Sequence, residues 1–157
     1  MVSGAQLISI VVVGIALALT FVALVTLLAA VLKGQTKRGR EAIRDNPVRT
    51  ILVGLIAWLV FGSIAFWLYA QAHLVAACIA VLLPMLVNLL GAPGLYSHIG
   101  DRIAALRKRQ MSDLGCVMSG TLLALLAACF PIFGWFLVLP LLLFAEFGAG
   151  FQALLRR

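Results

Sequence analysis

"CFPIFGWFLVLPLLLFAEFGAGF" fills residues 129–151 and is almost wholly apolar, yet Pro131, Gly134 and Pro140 interrupt it and one carboxylate, Glu146, stands near its end. Taken as one helix, the surrounding 114–155 stretch has 42 residues, about 63 Å at about 1.5 Å per residue, roughly twice a ~30 Å hydrocarbon core. One straight span is excluded. Pro131 with Gly134 supplies the break, leaving a first arm of about 16 residues and a second of about 20. The stretch is therefore expected to form a helical hairpin, which either spans the bilayer or re-enters it. A re-entrant form needs protein or water around the broken backbone at Pro131.

The rest of the chain has the composition such a hairpin requires. Of 157 residues, 64% are hydrophobic and 11% charged, with a mean hydropathy of +1.17. A soluble domain needs far more charge on its surface, so the chain is an all-α integral membrane protein. Working outward from the hairpin, spans are expected at about 6–32, 47–70 and 74–93, followed by an amphipathic segment at 96–112 and the hairpin at 114–155, all in one membrane domain covering 1–157. Three transmembrane helices plus a Pro/Gly-broken hairpin make four to five membrane segments. Asn46 is suited to the N-cap of the second span and Pro47 to its first turn. Only Gln71, Ala72 and His73 separate the second span from the third. "GAPG" at 91–94 reads as the end of the third span. Ile99, Ile103 and Leu106 recur at helical spacing among basic residues, which predicts a helix along the membrane surface.

The basic residues give an orientation. Lys33, Lys37, Arg38, Arg40, Arg44 and Arg49 form one cluster, Arg102, Arg107, Lys108 and Arg109 a second, and Arg156 and Arg157 a third. With all three in the cytoplasm, the N-terminus lies outside and the C-terminus inside. The hairpin's "PIFGW" turn then faces outward. Trp67, Tyr69 and Trp135 fit an outer aromatic belt, whereas Trp58 lies deeper.

"RDNPVRTILVGL", "YSHIGDRI" and "FPIFGWFLVLPLLLFAEFGAGF" together resemble a small multi-span bacterial membrane domain found alone or behind bactofilin-like polymer-forming domains. The likeness lies in the Pro-Arg-Ser/Thr start of the second span, the step after the third, and the closing Pro-hydrophobic-Gly-Trp with a Gly-Ala ending. It covers roughly 45–155 and implies a bacterial inner (plasma) membrane location. The family's turn between spans two and three tends to be Gly-Ile-Pro-like, where this chain has "QAH". The resemblance carries over no catalytic residue.

Glu146 is the only formally charged side chain inside an apolar segment. Such residues face protein or water because an ionised carboxylate in hydrocarbon costs on the order of 3 kcal/mol. At about 1.5 Å per residue Glu146 lies about 15 Å from the cytoplasmic interface and Asn88 roughly 5 to 10 Å deep, so the two are placed to meet. They are candidates for an intramembrane polar contact or an ion site. Glu146 shares a helical face with Ala149 and Gly150, and Asn88 shares one with Ala77, Pro84 and Gly91, so both faces permit close helix packing. Lys33, Lys37, Arg38, Arg40, Arg107, Lys108 and Arg109 are candidate contacts for anionic lipid headgroups. His73 and His98 fall on opposite sides of the membrane and cannot share a metal. Cys78, Cys116 and Cys129 lack CxxC spacing and read as buried free thiols. No catalytic residue, metal or cofactor is indicated, and a basic soluble surface with stacking aromatics for nucleic acid is missing.

These features fit a non-enzymatic membrane subunit or scaffold that packs against a partner membrane protein or itself. The alternatives are a small oligomeric channel or transporter using Glu146 and Asn88, and a lipid-modifying enzyme.

Overall fold

The computed structural model describes residues 4–71, 73–108 and 110–155. Ala72, Arg109, Arg156 and Arg157 lie outside the described residues. Among those described, the fold is all helical: α1 (Gly4–Val31), α2 (Lys33–Asp45), α3 (Pro47–Ala70), α4 (Leu74–Leu106), α5 (Asp113–Ala128) and α6 (Leu139–Leu155), with a π-helical turn at Gly134–Val138. Four helical segments are long and apolar enough to cross a membrane: Val11–Val31, Pro47–Ala70, Leu74–Leu106 and Gly134–Leu155. At 16 residues, α5 rises about 24 Å and is short for a ~30 Å core.

Local chemistry explains several boundaries. The Asn46 side chain accepts a hydrogen bond from the Arg49 amide at 3.0 Å, and Pro47 begins α3. Ser112 caps α5 in the same way, accepting from Gly115 N at 3.2 Å. Pro131 and Gly134 separate α5 from α6 as expected. A Cβ on Gly134 would lie 2.6 Å from the carbonyl oxygens of both Ala127 and Ala128, so the turn folds tightly back over the end of α5.

The expected end of the third span is corrected. The third span does not end at 91–94: α4 runs unbroken for 33 residues through Pro93, and the 96–112 segment is not a separate surface helix but in large part the end of α4. Residues 91–97 are all buried. Packing on several sides there outweighs the local helix-breaking tendency of Gly91, Pro93 and Gly94. At about 1.5 Å per residue α4 is about 50 Å long, so it tilts or projects beyond a ~30 Å core. The connection after α1 is helical as well. Residues 33–45 form α2, joined to α1 through Leu32 alone, and bury Gly39, Ala42 and Ile43.

In the bundle, α4 is central: α5 packs on it, as do α6, α2 and α3, while α3 also packs on α6. α1 lies outermost against α5 and α4. The crossings are made by reciprocal glycines. A Cβ on Gly54 would lie 1.8 Å from Phe144 O, and one on Gly148 would lie 1.9 Å from Thr50 O, bringing α3 and α6 backbone to backbone. Gly91 and Gly150 do the same for α4 and α6, at 1.8 Å from Glu146 O and 2.3 Å from Val87 O. Gly100 and Gly120 join α4 to α5, at 1.9 Å from Cys116 O and from Tyr96 O. Small residues permit this approach, which is the way helices associate where lipid removes the hydrophobic driving force. The wide outer surface is apolar, with Val12, Leu17, Leu59, Phe66, Ile79 and Leu126 among the exposed side chains. Cys78 and Cys129 belong to that outer surface and only Cys116 is buried, which corrects the expectation of three buried thiols.

Candidate functional site

Six consecutive residues of α6, 145–150, are buried. No single helix face can account for a continuous run, so α6 is enclosed on all sides at this level. Gly148 meets α3, Gly150 meets α4, and Ala149 lies beside Gly39 of α2. Phe147 is fully buried, with its ring 6.0 Å from Phe61 and 6.2 Å from Phe151.

Glu146 sits within this collar, 7% exposed, and its Oε1 accepts a hydrogen bond from the Tyr96 hydroxyl of α4. Tyr96 is itself buried, with its ring edge-on to Phe21 of α1 at 6.1 Å and 82°. The carboxylate is thus joined through one phenol to helices α4 and α1. Glu146 and Asn88 make no hydrogen bond among the described residues. Asn88 is buried and its Oδ1 has no partner, although a buried carbonyl normally finds one.

The packing residues come together around the same level. Gly91, Ala149 and Gly150 are buried at the crossings just described, and Ala77 is buried further along α4. Two polar nodes have weak sequence signals. Thr50 Oγ1 lies 3.2 Å from Ala42 O and 3.1 Å from Asn46 O, and accepts from Gln152 Nε2 at 3.3 Å, tying α2, α3 and α6 together. Arg40 lies 2.5 Å from Asp101 and 3.4 Å from Asp113, clamping α2 to α4 and α5. Of the candidate lipid contacts, Arg40 is therefore occupied by carboxylates. Lys33, Lys37, Arg38, Arg107 and Lys108 are exposed, and Arg109 lies outside the described residues.

At the basic end a cavity of about 550 Å³ lies among α1, α2, α4 and α5, and another lies beside Asp101 and Cys116; neither is lined by Glu146 or Asn88. Comparisons with protein-family models, with curated proteins and with solved structures find no match to this chain.

Proposed function

We infer that this multi-span helical membrane protein is a non-enzymatic subunit or scaffold of a bacterial inner membrane, packing through its apolar outer faces against a partner membrane protein or another copy of itself. One observation carries this reading: the Glu146 carboxylate is held by Tyr96 inside a glycine-packed collar, the environment of a helix-to-helix contact. A transport path needs polar groups leading to the site, and the buried run that follows Glu146 along α6 is Phe147, Gly148, Ala149 and Gly150, with Tyr96 the group its carboxylate meets. Basic side chains at one end would add attraction to anionic headgroups.

The discriminating experiment places purified protein in proteoliposomes. Glu146→Gln is expected to leave oligomer size and co-purifying partners unchanged and to alter no pH-dependent flux. Wild-type flux abolished in a normally assembled Glu146→Gln variant would instead establish the small channel or transporter. An amide does not exchange a proton at ordinary pH, so such a loss would be specific.

Orientation has its own test. With basic clusters inside, the turn at 71–73 and the turn between α5 and α6 face outward. Trp67, Tyr69 and Trp135 are exposed near these turns, as an interfacial aromatic belt requires. In a cysteine-free background His73→Cys should label from outside and Lys37→Cys only from inside. An exported reporter fused after Arg157 would overturn the proposed topology.

A further inference from the structure

The cavity of about 550 Å³ has two unlike walls. Lys33, Thr36, Lys37 and Arg40 line it from α2, where i, i+3, i+4 and i+7 spacing puts them on one helical face. Ala29 of α1 and Leu114 and Val117 of α5 supply an apolar wall. The hydropathic span of α1 ends at Val31, so the cavity straddles the level at which hydrocarbon gives way to headgroups.

Two of its cations are free to bind. Arg40 is held by Asp101 and Asp113, and Asp113 also lines the cavity, but Lys33 and Lys37 make no ion pair among the described residues. Thr36 adds an independent observation. Hydroxyls of Thr20, Thr26, Ser63, Ser119 and Thr121 each bond a carbonyl four residues back in their own helix, whereas Thr36 Oγ1 is buried without a partner. An unpartnered hydroxyl on the same helical face as two unpaired ammonium groups, all three residues lining one cavity, is a donor set suited to a phosphate.

The geometry points to a stoichiometric site for the phosphodiester of an anionic phospholipid, with the phosphate at Lys33, Thr36 and Lys37 and the glycerol and upper acyl chain along Ala29, Leu114 and Val117. This deepens the headgroup attraction proposed above from a diffuse surface effect to one bound lipid. It is separable from the scaffold proposal, whose test reads flux and partners.

The test is native mass spectrometry of the purified full chain with phosphatidylglycerol or phosphatidylcholine added, and with glycerol 3-phosphate as the lipid-free phosphate. One phosphatidylglycerol per protomer should be retained in preference to phosphatidylcholine. A well-placed basic side chain is worth about fivefold at the membrane surface, so Lys33→Gln with Lys37→Gln should weaken retention about 25-fold. Lys37→Gln alone should weaken it about fivefold, should the double variant fail to fold. Thr36→Val should also weaken it, while Arg107→Gln with Lys108→Gln, outside this cavity, should change it less than about twofold. Equal losses in the two double variants, equal retention of the two lipids, or displacement by glycerol 3-phosphate would each overturn the lipid site.

Discussion

Gly148→Ala should destabilise the bundle by more than about 2 kcal/mol, whereas Gly62→Ala should be neutral or stabilising by up to about 1 kcal/mol. The same methyl group is added to a helix in both cases. At Gly148 it would fall 1.9 Å from Thr50 O and 2.8 Å from Thr50 C, so α3 and α6 must separate. Their separation also disturbs Gly54, whose missing Cβ marks the reciprocal half of the crossing. At Gly62 nothing lies within 4 Å, so only the gain in helix propensity remains. Thermal unfolding in detergent, followed by loss of the monodisperse peak on size exclusion, reads both variants on one scale. Shifts of the same sign and size would show that the backbone contact between α3 and α6 does not hold the fold. A leucine at Gly148 should abolish assembly outright.

The same crossings explain what could be read from the residues and what could not. Asn46 with Pro47 and Pro131 with Gly134 act on residues within a few positions of themselves, so their consequences are legible locally. Gly91 and Gly94 present the same local signal as a helix end, but here they are contact surfaces for α6 and α2. The distinction depends on a neighbour distant in sequence. Ending α4 at 91–94 also places Tyr96 on a surface segment, which hides it as the donor to Glu146. The helical character of α2 was obscure for a related reason: its buried face is Gly39, Ala42 and Ile43, and glycine contributes no hydropathy. Depth alone puts Asn88 near Glu146. Depth does not specify the direction in which a side chain points, and the partner proved to be one helical stretch further along α4.

The Tyr96–Glu146 contact predicts a graded series. Glu146→Gln keeps an oxygen that can accept from the Tyr96 hydroxyl, so folding should change by less than about 1 kcal/mol. Tyr96→Phe preserves the ring that meets Phe21 but removes the donor, leaving a buried carboxyl group without its partner. The expected cost is about 1 to 3 kcal/mol. Glu146→Lys should be the most damaging of the three. An ammonium group cannot accept from the phenol, and its charge costs on the order of 3 kcal/mol in the hydrocarbon core. Its longer chain must also fit against Tyr96 inside a buried stretch of α6, so assembled protein should be lost. The double variant Tyr96→Phe with Glu146→Gln isolates the pair: its effect should differ from the sum of the single effects by at least about 0.5 kcal/mol, measured by reversible denaturation in mixed micelles. Strict additivity, or an assembled Glu146→Lys bundle of wild-type stability, would show that Glu146 is not held in place by Tyr96.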